Sequence, residues 1–299
     1  MKTRQLISEI PQSRTLSRVA IYSGIVSLYA LLAVLVETGT RYSGFSNLPA
    51  DVHAALTLIL GWLLVFRTNT SYARWWEART LWGSLINASR QLAVKIVDLV
   101  PAADHDLLLS RNLICGFAVA LKDHLRSGAI LTSLDGFRDS DADPEHVPSW
   151  LISTLYRRLG AWKAAGLIDG DELRILDDEA RRFLDICGGC ERIRNTRLAR
   201  SYRLFARQCV FLYLLTLPWG IVQNFVWWTI PLTAMLSYFM LGLETVAEHV
   251  EEPFGLDDDD LDLDGLCGVI RRSVDEIFDR RPRLDHPESG RDAGASAVT

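Results

Sequence analysis

Six aspartates crowd into the run Leu256-Asp257-Asp258-Asp259-Asp260-Leu261-Asp262-Leu263-Asp264-Gly265, just after Pro253 and Gly255. Clustered carboxylates in a turn suit a hard cation such as calcium. An EF-hand frame starting at Asp260 sets Asp262, Asp264 and Gly265 correctly, but its twelfth position is Arg271, where a bidentate glutamate is required. A standard EF-hand is therefore excluded, and a different calcium loop or a solvated charge run both remain. Cys187-Gly188-Gly189-Cys190 has the spacing of a redox pair. It lacks the βαβ setting of thioredoxin-like proteins and a second pair to complete a zinc site, so structural thiols are expected. The histidines 53, 105, 124, 146, 249 and 286 show no metal-ligand spacing, and no nucleophile elbow or phosphate-cradling glycine loop occurs. With no nucleophile, base or metal triad in view, the chain is not expected to be an enzyme.

The elements that position these groups are set by hydropathy. Of 299 residues, 49% are hydrophobic, and the mean hydropathy of +0.11 is high for a soluble protein. A net charge of -5 gives no overall basic surface for nucleic acid. Five cysteines, an odd number, argue against a disulfide framework and for free thiols.

The apolar residues form blocks of membrane length. Val19 to Val36 carries no charge and is bounded by Arg18 and Glu37. No small-residue cleavage pattern follows it, so it reads as a retained span rather than a signal peptide. Ala54 to Phe66 is shorter and reaches spanning length only if its helix begins near Leu48, with Asp51 and His53 in the outer turn. Cys209 to Leu243 reads as two spans, with Gln223 and Asn224 as the hairpin between them. Lys2, Arg4, Arg14 and Arg18 precede the first span, Arg67, Arg74 and Arg79 follow the second, and Arg200, Arg203 and Arg207 precede the third. The connections on the other side carry only Arg41, which puts both termini in the cytoplasm. Trp75, Trp76, Trp227 and Trp228 fall near the interfaces these spans define.

Six segments result: 1–18 as a cytoplasmic N-terminal segment, 19–66 as spans one and two with a pore-type helix at 48–66, 67–208 as a cytoplasmic helical domain, 209–243 as spans three and four, 244–279 as a cytoplasmic segment holding the acidic cluster, and 280–299 as a disordered tail. Within the helical domain, Leu81, Leu85, Ala88 and Leu92 continue the second span's helix. Leu151, Leu155, Tyr156 and Leu159 mark another helix after Pro148, and a third starts near Asp169 through Leu173, Leu176, Ala180, Phe183 and Leu184. Gly136 to Pro148 reads as a loop.

Three separated motifs then resemble those of one family. Phe66-Arg67-Thr68-Asn69-Thr70-Ser71-Tyr72-Ala73-Arg74-Trp75-Trp76-Glu77-Ala78-Arg79, with Leu81-Trp82-Gly83, resembles the bestrophin motif that follows the pore helix, especially in its bacterial form. Glu191-Arg192-Ile193-Arg194-Asn195-Thr196 and Pro253-Phe254-Gly255 resemble the family's later signatures. The resemblance implies an all-α membrane protein: a homopentameric ion channel with four transmembrane helices per subunit and a large cytoplasmic helical region.

Carried onto this chain, the family's apolar neck falls on Leu58, Trp62 and Phe66, spaced i, i+4, i+8 on one helical stripe. Such a ring can gate by dewetting. Trp62 departs from the smaller or phenyl side chains usual there. The second, cytoplasmic aperture falls near Leu173 or Leu176. The calcium clasp of eukaryotic members falls on the carboxylates of Asp257 and Asp260, with main-chain oxygens near His249 and Glu252.

The expected function is passive conduction of small monovalent ions, anion or cation, through an axial pore in a bacterial-type inner membrane. The alternative is a non-conducting membrane scaffold or regulatory protein. Partners are other copies of the chain, membrane lipid and the permeating ions. No cofactor is required, and calcium is the one candidate ligand.

Overall fold

The computed structural model describes residues 14–39, 50–257 and 259–280. Residues 1–13, the start of the second span at Leu48, the connection around Arg41, Asp258 and the tail beyond residue 280 lie outside the described residues. Among the described residues there is no strand. The α-helices are α1 (Arg14–Gly39), α2 (Ala50–Leu99), α3 (Asp104–Arg126), α4 (Val147–Ala164), α5 (Gly170–Asn195), α6 (Arg200–Phe225), α7 (Thr229–Glu251) and α8 (Leu263–Asp279). Short 3₁₀ turns occupy Leu131–Ser133 and Val226–Trp228.

Among the described residues, three helical stretches are long and apolar enough to cross a membrane: Thr15–Gly39, Asp51–Leu99 and Arg200–Glu251. The last contains both α6 and α7. The hairpin between them is later than Gln223 and Asn224, because α6 runs through both and stops at Phe225. The reversal is made by Val226, whose φ of 45° makes it the one described non-glycine residue with positive φ. That conformation crowds a β-branched side chain. Trp227 and Trp228 follow it on the 3₁₀ turn, both exposed.

The chain folds as two units. Unit 1 comprises Met1–Ser84, Leu125–Gly128 and Ile186–Leu263. In it α1 packs on α7 and α6. Small residues allow the approach: Ala30 and Ala33 are fully buried, and Ser23 Oγ donates to Ala234 O at 2.7 Å and lies 2.9 Å from Ser237 Oγ. Hydroxyl contacts of this kind satisfy polar groups inside an apolar bundle. Leu60 and Leu64 of α2 close a second core with Val210, Tyr213, Leu214 and Leu217 of α6 and Met240 of α7.

Unit 2 comprises Leu85–His124, Ala129–Asp185 and Asp264–Thr299. Leu85, Ala88 and Leu92 on the continuing α2 are fully buried, as their spacing predicts. Leu151, Leu155 and Leu159 of α4 and Leu176, Ala180 and Phe183 of α5 are buried too. Phe117 of α3 meets Phe183 edge-on, ring centroids 5.0 Å apart. α5 opens with a capping box. Asp169 Oδ1 accepts the N–H groups of Asp171 and Glu172 at 2.8 Å, and Glu172 Oε2 accepts Asp169 N–H at 2.8 Å.

Candidate functional site

In unit 1, Arg74 of the first sequence signature reaches the second signature and the end of the helix that leads into the third. Its Nη2 donates to Ile193 O at 2.6 Å, its Nη1 to Thr196 O, and its Nε to Glu251 O at 3.3 Å. Ile193 and Thr196 sit at the C-terminal end of α5, where carbonyls lack partners within their own helix. A cation there satisfies them and favours the helix dipole. Next to it Trp75 Nε1 donates to Asp259 O at 3.2 Å, and Glu77 pairs with Arg192 at 2.5 Å. Residues 74–77 therefore fasten the ends of α5 and α7 and the acidic loop to α2.

About two to four turns along α2 toward its N-terminus, the residues proposed for a neck form an exposed apolar stripe. Leu58 is 68% exposed, Trp62 65% and Phe66 57%, and the rings of Trp62 and Phe66 meet edge-on at 5.6 Å. The opposite side of the same helix holds Leu60, Leu64, Arg67 and Ser71, all buried. Packing within the subunit thus leaves the stripe unclaimed.

The acidic loop is folded by its own carboxylate. Asp260 Oδ2 accepts Asp257 N–H at 2.6 Å, Asp260 N–H returns to Asp257 O at 3.1 Å, and Leu261 N–H reaches Pro253 O at 3.0 Å. Asp257 and Asp260 are brought together by this turn. Gly255 is required beneath it, since a Cβ there would lie 2.5 Å from Asp260 Oδ2. Burial pushes the Asp260 carboxyl up to about 6, against the opposing effect of the Asp257 amide. Its Oδ1 is buried without a protein partner among the described residues, an oxygen suited to a cation. The carbonyls of His249 and Glu252 each accept one main-chain N–H, from Glu252 at 3.2 Å and from Gly255 at 3.5 Å, and each keeps a second lone pair. The His249 ring is committed elsewhere, with Nδ1 3.1 Å from Thr15 Oγ1 and 3.5 Å from Asp259 Oδ2.

On α5 the two aperture candidates differ. Leu173 is half-buried, but Leu176 has no exposed surface and belongs to the core of unit 2, so it cannot present a side chain to a pore. Ile175, off the core stripe, is 43% exposed.

Comparison with known proteins accounts for the joint placement of the three signatures. A family model described as "Bacterial/Fungal Bestrophin protein" matches residues 3–276. The chain belongs to the bacterial and fungal bestrophin family. Among this bestrophin's relatives is a voltage-dependent anion channel-forming protein of Nostoc sp., 31% identical over 284 residues and 91% of each chain. Another protein of that name, from Mesorhizobium japonicum, is 35% identical over 225 residues, 73% of this chain and 72% of its own. The crystal structure of a bacterial bestrophin homologue from Klebsiella pneumoniae shares the fold, with a TM-score of 0.79 at 24% identity, over 87% of this chain and 98% of that one.

The remaining candidates of this bestrophin are structural. Cys187 and Cys190 are buried on α5, and burial pushes the Cys187 thiol up to about 12 and the Cys190 thiol higher still. Neither forms a thiolate near neutral pH. Gly189 lets α5 close on α2, since a Cβ would lie 2.9 Å from a Leu81 methyl. Two features escaped sequence reasoning. Ile175 could have been found as an apolar residue outside its helix's core period. The convergence on Arg74 joins positions 119 to 177 apart, which no local pattern reveals.

Proposed function

We propose that this bestrophin is an ion channel in which several copies, five by analogy with the family, surround an axial pore. The observation that carries this reading is the stripe of Leu58, Trp62 and Phe66, three large apolar side chains exposed on a helix whose other side is buried. A single subunit offers them no cover, and a ring of copies would turn them into an apolar constriction that passes ions without binding them. Spans would be α1, the N-terminal part of α2, α6 and α7, with both termini in the cytoplasm of an inner membrane and 67–208 on the cytoplasmic side. Ile175, rather than Leu176, then offers apolar surface for a second constriction; Leu173, two residues earlier on the helix, points about 200° away from it.

The names of the relatives favour anions over cations as the permeating species. Asp257 and Asp260, with the carbonyls of His249 and Glu252, would hold calcium, which would tie the acidic loop to the end of α7. Purified protein in a planar bilayer under a potassium chloride gradient tests the reading. A reversal potential near that of chloride supports anion conduction, one near that of potassium reverses the sign, and silence from a correctly assembled oligomer favours the non-conducting scaffold.

A further inference from the structure

Where the three signatures meet, unit 1 also carries a cleft of about 520 Å³ with an excess of basic side chains. Arg74, Arg126, Arg194 and Arg197 line it, against the carboxylates of Glu251 and Glu252. By formal count, four positive and two negative charges leave a surplus of two positive charges. The carboxylates are also engaged. Glu251 Oε1 accepts Leu198 N–H at 3.2 Å and lies 3.9 Å from Arg203 Nε, and Glu252 pairs with Arg197.

Arg74 is held in a different way. Three of its five N–H donors meet main-chain carbonyls, which fix the guanidinium but do not cancel its charge. The other two have no protein acceptor among the described residues. Carbonyls position its neighbours as well: Arg126 Nε donates to Phe254 O at 3.2 Å and Arg194 Nη2 reaches Arg126 O at 3.5 Å. Guanidinium groups fixed in advance on a concave wall, with N–H groups of Arg74 still to share, suit the oxygens of a phosphate group.

The charge and place of the cleft narrow the ligand. Its surplus is small and the acidic run starts immediately past its Leu256 edge, which favours a singly charged phosphodiester over a free, more highly charged phosphate. Arg197 lies just before α6 and Glu251 ends α7, so in the four-span topology the cleft lies at the cytoplasmic membrane boundary, where anionic headgroups gather basic residues. We propose that the cleft between Arg74, Arg126, Arg194 and Arg197 binds a phosphate ester, supplied by the headgroup of an anionic inner-leaflet phospholipid. The choice of a lipid source rests on the channel topology proposed above; the phosphate chemistry does not.

The test is binding to the assembled, purified protein in neutral detergent, followed by native mass spectrometry and thermal unfolding. Short-chain phosphatidylglycerol, short-chain phosphatidylcholine and inorganic phosphate are compared. Phosphatidylglycerol is expected to bind and raise the melting temperature, phosphatidylcholine not to, and R194Q with R197Q to weaken phosphatidylglycerol binding at least tenfold. R181Q, an exposed arginine of unit 2, should leave binding unchanged. An equal shift from inorganic phosphate would keep the phosphate site and overturn the lipid source. Equal binding of the two lipids, or full binding by the double variant, would overturn the site. If the double variant fails to assemble, the contrast between the two lipids on the unmutated protein decides. Lipid binding by a protein that shows no current would uphold the cleft and remove the channel reading.

Discussion

Arg67 of α2 and Glu244 of α7 form an ion pair in which the arginine has no exposed surface. Glu244 also faces Arg207 Nε at 3.3 Å, and Arg207 in turn pairs with Glu248. Two nitrogens of Arg67, Nε and Nη2, find no protein acceptor among the described residues. A buried pair of this kind is held less by net attraction than by the penalty for stranding either partner.

Arg67→Met should therefore destabilise the protein by about 3–5 kcal/mol, because it leaves Glu244 buried beside Arg207 alone. Arg67→Met with Glu244→Met should lose clearly less. Unfolding in detergent of the two single variants and the double variant measures the coupling; purely additive losses would show that the two side chains act independently.

The exposed stripe makes a prediction about conduction. Replacing Leu58, Trp62 and Phe66 together by alanine should leave folding intact, since none of the three is buried in the subunit, and should widen and wet a constriction. Single-channel conductance or open time should rise. Unchanged currents from a well-assembled triple variant would place the stripe against neighbouring helices or lipid.

Asp260 sets a pH dependence. Its carboxyl is held above its ordinary value by burial, so between about pH 4 and 6 the folded state binds more protons than the unfolded one. Stability without calcium should accordingly fall as pH rises through this window. Calcium needs the ionised form, so its stabilising shift in melting temperature should be full at pH 7 and fade below about pH 6. Asp260→Asn should remove both effects. A calcium shift that persists at pH 5, or survives the substitution, would point to ligands elsewhere.

The hairpin after α6 depends on one backbone angle. Val226→Pro forces φ to about -65° where the chain needs 45°, and removes the N–H that caps Val222 O, so it should cost about 3 kcal/mol or more. Val226→Gly should be tolerated, because glycine adopts positive φ freely. Expression and size-exclusion profiles of the two variants distinguish a conformational requirement from a need for the valine side chain.

Periodic features were legible in the sequence. Leu85, Ala88, Leu92, Leu151, Leu155 and Leu159 are buried where their spacing put them, and α5 begins beside its Asp169 cap, because helical period and capping are local properties. The turn at Val226 was not, because polar Gln223 and Asn224 look more like a reversal than a valine does. The face of Leu176 was misjudged because an apolar side chain reads the same whether it fills a core or lines a pore. The acidic loop was visible as composition, but its fold depends on Asp260 reaching back to an amide three residues earlier.

The chain crosses its own order at Arg74, whose acceptors lie 119, 122 and 177 residues further along. During synthesis at about 5–20 residues per second, roughly 6–35 s separate that arginine from the carbonyls that hold it. The nascent protein must pass this interval with unit 1 unfinished and the sequence of unit 2 still emerging. Slow elongation or delayed insertion of α6 and α7 would lengthen it, which makes biogenesis rather than equilibrium stability the stage at which substitutions near Arg74 would first be felt.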